Sequence, residues 1–148
     1  MSERPAGYAY AAHTADVIVQ AWGPGPGDAL GQALLGVAAL IQDPATVAAA
    51  NVRRIELAAA DGVGALVQAA NELLFWFDTD GFMVSSVQVR ELSTDPWRVR
   101  LDLVGDSLDE RSGRYDPASP PKAATYHQAD FAPDPGGKTW RVRLTLDV

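Results

Sequence analysis

The sequence predicts a single α+β domain spanning residues 1–148, with two amphipathic helices packed on one side of a largely antiparallel β-sheet. Three observations lead there. Stretches with apolar residues at every second position dominate the chain. Only two segments space their apolar residues with a helical period. Most strand-like stretches are joined by short turns rather than by the long crossovers that parallel pairing requires. A hydrophobic fraction of 47% against 21% charged residues is that of a chain able to bury its own core.

Tyr8 to Ala12 and Val17 to Trp22 are short, aromatic and β-branched, and read as two strands flanking His13-Thr14-Ala15-Asp16. Gly23-Pro24-Gly25-Pro26-Gly27 cannot continue a strand, because its prolines donate no hydrogen bond, and Asp28 is the expected helix N-cap. Leu30, Leu34, Val37 and Ile41 then recur at helical spacing until Asp43-Pro44, where proline denies its predecessor an α conformation. A strand is expected over Val52 to Leu57. From Asp61 or Gly62 a second helix carries Val63, Leu66, Val67, Ala70, Leu73, Leu74 and Phe77 on one face, and Gly81 is its natural C-terminal stop.

Strands follow over Phe82 to Val89 and Trp97 to Val104, the latter alternating Trp97, Val99, Leu101 and Leu103 with Arg98, Arg100 and Asp102. Gly105 to Pro121 lacks periodicity and reads as a long loop. Lys122 leads into a strand reaching Phe131, and Pro133-Asp134-Pro135-Gly136-Gly137 turns the chain into a last strand. In that strand Trp140, Val142, Leu144, Leu146 and Val148 point one way, and Arg141, Arg143, Thr145 and Asp147 the other.

The absence of cysteine excludes thiolate metal sites, disulfides and a cysteine nucleophile, so any metal must sit on oxygen or imidazole. No apolar leader occupies residues 1–10 and no run approaches a membrane span, so the expected location is cytoplasmic. A net charge of −7 argues against a protein whose main task is gripping a phosphate backbone. Arg98, Arg100, Arg141 and Arg143 read first as a solvated face, with local contact to RNA as the second reading.

Asp147 stands beside the last residue, Val148, whose α-carboxylate adds a second negative charge close by. A hard divalent cation relieves such repulsion, and carboxylate and carbonyl oxygens are the ligands that Ca²⁺, Mg²⁺ or Mn²⁺ prefer. Asp16, ending a polar tetrapeptide between two strands, is the natural further ligand. Residue chemistry alone leaves another reading open, with Asp147 a frayed end and Asp16 a turn or cap residue.

His13-Thr14-Ala15-Asp16-Val17, Asn71-Glu72-Leu73-Leu74 running into Phe77-Asp78-Thr79-Asp80-Gly81-Phe82, Lys122-Ala123-Ala124-Thr125-Tyr126-His127 and the final Asp147-Val148 together resemble the archease family in order and spacing. The resemblance implies a divalent-metal site of Asp16, Asp147 and Val148, with calcium the ion usually found there. It adds Asp43 as a weaker ligand, a residue that reads equally as a helix-terminating turn. It further implies a non-catalytic accessory factor of a GTP-dependent tRNA-splicing RNA ligase, the partner protein, which joins 3′-phosphate or 2′,3′-cyclic phosphate ends to 5′-hydroxyl ends. The factor would promote ligase guanylylation and meet RNA only through the ligase. Ile18 and Asp106 depart from the family pattern, where glycine and glutamate are common.

Other readings carry less. A phosphoesterase built on His13 and His127 lacks paired His-x-Ser/Thr motifs, since the second run is His127-Gln128-Ala129. A general chaperone or interaction module would need an exposed apolar surface, with Trp22, Trp76, Trp97 and Trp140 as its material. The prolines between Gly23, Gly25 and Gly27 cannot donate to phosphate, so this is a turn and no nucleotide loop.

Overall fold

The structure is a computed structural model that describes residues 5–12, 16–109 and 113–148. Along the chain run β1 (Gly7–Ala12), β2 (Asp16–Gly23), α1 (Pro26–Ala39), a 3₁₀ turn (Pro44–Thr46), β3 (Asn51–Ala59), α2 (Gly62–Asp80), β4 (Phe82–Thr94), β5 (Trp97–Ser107), β6 (Ala123–Pro133) and β7 (Trp140–Asp147). The fold is α+β, and every strand pairing is antiparallel, as the short connections predict. His13, Thr14 and Ala15 of the polar tetrapeptide lie outside the described residues.

The strands divide between two sheets, one ordered β1-β2-β7-β6 and the other β3-β5-β4. Each helix touches both: α1 lies on β2 and β7 of the first and β4 of the second, while α2 lies on β6 of the first and β3 to β5 of the second. Helix apolarity explains this. Ala29, Leu30, Ala33, Leu34, Gly36, Val37 and Ala38 are all buried in α1, an arc too wide for a single sheet to cover. Val19, Leu144 and Leu146 from one sheet and Leu101 and Leu103 from the other converge on Leu30, Leu34, Leu66 and Leu73. At one end Trp97, Phe131 and Trp140 meet with centroids 5.3 to 6.3 Å apart, Trp140 edge-on to the other two and Trp97 tilted against Phe131, tying β5 to β6 and β7.

Local chemistry fixes the helices. Gly25, not Asp28, occupies the N-cap of α1, because Pro26 at the first helical position lacks only a donor the helix does not need there. Asp28 still serves the cap: its carboxylate accepts the Gly25 N–H at 3.1 Å. Asp61 caps α2 by accepting from the Gly64 N–H at 2.7 Å, and Gly81 stops it in the left-handed region at φ 65°. Asn71 of α2 clamps β6, its side chain donating to the Ala124 carbonyl and accepting the Ala124 N–H. Tyr10 of β1 donates its hydroxyl to the Gly36 carbonyl at 2.7 Å, and burial of that group, helped by Tyr8, pushes its pKa to about 12.

β4 runs on past Val89 to Thr94, with register shifts between Val84 and Ser86 and between Val89 and Glu91. The Gly105 to Pro121 stretch is partly strand, since β5 continues to Ser107. Among the described residues beyond it, the Leu108 N–H donates to the Gly81 carbonyl, the Ala118 N–H to the Ile41 carbonyl, and the Tyr115 hydroxyl to Asp106.

Candidate functional site

β2 and β7 pair along their whole length, and in that register Asp16 stands directly opposite Asp147. Opposed residues of an antiparallel pair project from the same face with Cβ atoms about 4.5–5.5 Å apart, so this is a like-charge pair that two strands hold together. Val19 and Ala21 of β2, with Val142, Leu144 and Leu146 of β7, fill the core. Alternation therefore sends Asp16 and Asp147 outward. Asp16 is half-buried and Asp147 exposed.

The main chain at Asp147 is not a frayed end. It pairs with Asp16 on one side and Ala123 on the other, and its carbonyl accepts the Lys122 N–H at 2.7 Å. Val148 follows, 52% exposed, beside the carboxylate pair. Asp43 is placed differently. It is the N-cap of the 3₁₀ turn, and its carboxylate accepts the Ala45 N–H at 3.0 Å, the helix-terminating role that its Asp-Pro context also allowed.

Among the described residues no three His, Asp or Glu side chains gather closely enough to hold a metal ion. The carboxylates brought together by register are thus Asp16 and Asp147, with main-chain oxygen of Val148 adjacent. Such an all-oxygen set is of the ligand type that a hard divalent cation prefers, and two carboxylates alone would leave most of the positions that Ca²⁺ or Mg²⁺ requires to water.

The four arginines of the presumed solvated face belong to two sheets, Arg98 and Arg100 to β5 and Arg141 and Arg143 to β7, so they form no single cluster. Arg141 donates to Asp130 at 2.7 Å and to Asp134 at 3.0 Å, and these two carboxylates, Asp134 first, raise its pKa further. Among the described residues Arg143 donates only to the amide oxygen of Gln128, at 3.2 Å. Between Arg143 and Asp147, Thr145 is buried with a hydroxyl that meets no partner among the described residues.

Gln128 entered the sequence reading only as the residue after His127, with no role of its own, because the shift in β6 pairing that brings it to Arg143 exists only relative to β7. His127 itself is exposed on β6. Trp76, Trp97 and Trp140 pack against the core and Trp22 lies across Gly7, so they make no shared apolar surface. The large exposed apolar residues, Tyr10, Val52, Phe75, Tyr126 and Val148, are scattered over separate elements. No described helix is long and apolar enough to cross a membrane.

Comparison with known proteins agrees with the motif order. A protein archease of Pyrobaculum neutrophilum is 29% identical over 98% of this chain and 97% of its own length. One from Methanosarcina barkeri is 25% identical over 100% of both. The solution structure of Methanobacterium thermoautotrophicum protein 1598 superposes with a TM-score of 0.80 at 26% identity, covering 96% of this chain and 99% of that one. The model of the archease protein family matches residues 8–148, the paired strands that bring Asp16 to Asp147 included, and the chain belongs to the archease family.

Proposed function

We propose that this protein activates a GTP-dependent RNA ligase of the tRNA-splicing type, without catalysing a reaction itself, through a divalent-metal site formed by Asp16, Asp147 and a main-chain oxygen of Val148. The observation that carries the reading is the forced opposition of two carboxylates at the β2–β7 end. Like charges directly opposed in a sheet repel, and a divalent cation shared between the two carboxylates would relieve that repulsion. A divalent cation supplies Lewis-acid stabilisation of phosphoryl oxygens when bound. The chain's own part is to hold two carboxylates on a rigid pair of strands at an exposed tip. There they can meet a partner's phosphoryl-transfer site while the core stays closed. Calcium is the preferred occupant, with Mn²⁺ or Mg²⁺ as alternatives, and Asp43, committed to its turn, is a weaker contributor.

Guanylylation of a cognate ligase, followed with and without this protein, is the direct test. The wild-type chain is expected to raise the guanylylated fraction, and Asp16→Ala and Asp147→Ala to lose that effect while remaining folded. Absence of stimulation by the wild type would sink the proposal. A thermal-shift titration with Ca²⁺, Mn²⁺ and Mg²⁺ tests the site alone, since an ion held at 100 times its Kd stabilises by about 2.7 kcal/mol. A general chaperone role predicts the opposite pattern, with activity retained in both variants.

A further inference from the structure

Arg143 is singled out by the charges it lacks. In register its neighbours are Gln20 on β2 and Asp130 on β6, yet the Asp130 carboxylate turns to Arg141 instead. What reaches Arg143 is the neutral amide of Gln128. That contact depends on an irregular strand: between Thr125 and Asp130 the pairing of β6 with β7 shifts, four residues standing where Leu144 alone lies between the partners Arg143 and Thr145. Gln128 adopts φ 52°, the one left-handed conformation of a non-glycine residue among those described. Side chains avoid that region unless their surroundings impose it, and such departures gather at functional sites. Among the described arginines only Arg98 and Arg143 lack a carboxylate partner, and Arg98 is exposed with no hydrogen-bonded partner, whereas Arg143 is half-buried and held.

Around it lies an open cavity of about 470 Å³ lined by Ala9, Gln20, Trp22, Asp130, Arg141 and Arg143. That volume accommodates a ligand of nucleotide size. With Asp130 and Asp134 set against Arg141, the cavity is near neutral in sum, which suits a singly charged oxyanion better than a doubly charged one. Guanidinium binds such a group through a fork of donors, and the neighbouring Gln20 amide adds a further donor. We propose that Arg143, bracketed by Gln20 and Gln128, binds a phosphodiester of a single-stranded nucleic acid, one nucleotide seating in the cavity on the outer face of the four-stranded sheet. The inference stands apart from the metal site, four residues along β7, and holds whether or not a cation is bound there.

An NMR titration of the ¹⁵N-labelled protein at low ionic strength tests it, with a short single-stranded RNA, inorganic phosphate and a glutamate-rich peptide as probes. RNA is expected to shift Gln20, Gln128 and Arg143 saturably, with a log–log salt slope near about −0.7, the value for one phosphate contact on a single strand. Gln128→Glu supplies Arg143 with an internal counter-ion and is expected to weaken binding by about tenfold or more, with the rest of the spectrum unchanged. Arg143→Gln should do the same. Binding of inorganic phosphate as tight as that of RNA would show a free-anion site and overturn the strand assignment. Shifts from the peptide alone, no localised shifts, or RNA shifts unaltered in Gln128→Glu would each overturn the proposal.

Discussion

Asp102 is 5% exposed on the middle strand of the three-stranded sheet, and it is shared: Arg54 Nε donates to it at 3.2 Å from β3 and Arg90 Nε at 3.1 Å from β4. The Arg90 hydrogen bond, against the opposing cost of burial and with help from Arg54, holds its carboxyl below the usual carboxylate range. A depressed native pKa means that the unfolded chain takes up a proton first as pH falls. The contribution of Asp102 is therefore complete at neutral pH and lost as pH drops through the native value. Asp102→Asn is expected to cost roughly 1–2 kcal/mol at neutral pH, with a much smaller difference from wild type in strong acid. Urea melts at both pH values check this, and an equal deficit at both would contradict it. The sequence marked Asp102 as one more outward residue of an alternating strand. Its burial was illegible because the covering guanidinium of Arg90 is carried there by a bulge. Asp16 and Asp147 were legible as chemistry, whereas their opposition is a fact of register that spacing does not encode.

Helices and turns were the most readable elements, since their signals are local: apolar period, proline, cap and left-handed glycine all lie within a few residues of what they specify. Bulges were not readable, because they exist only relative to a partner strand. Gly105 shows the difference. It read as the start of a loop, but it lies within β5 opposite the Val84/Ser86 irregularity of β4, where a Cβ would stand 1.8 Å from the Met83 carbonyl oxygen. Backbone cannot retreat as a flexible side chain can. Gly105→Ala is accordingly expected to destabilise by about 3 kcal/mol or more, at the upper end of overpacking costs, and to speed hydrogen exchange of β4 amides before those of β7. A loss below about 0.5 kcal/mol, the scale of ordinary surface substitutions, would show that the strands separate without cost.

At the scale of the molecule, β7 occupies an interior position between β2 and β6, and both sheets share the core that α1 and α2 complete. The α+β class was legible from the two periodicities, but the division into two sheets was not. Alternation says that one face of a strand is buried and does not say which other strands share its sheet. If the two sheets are one cooperative unit, a cavity in either weakens both. Leu144→Ala, at a fully buried position of β7, should cost about 2–5 kcal/mol and leave a single unfolding transition by circular dichroism and by tryptophan fluorescence. Two separated transitions would refute that unity.

The interior place of β7 also governs timing during biosynthesis. Of the described strands it is made last, and β2 has only β1 as a sheet neighbour until it arrives. A nascent chain short of residue 147 lacks the carboxylate that stands opposite Asp16 in the register. The paired carboxylates thus come into being only once β7 has been made and has docked between β2 and β6.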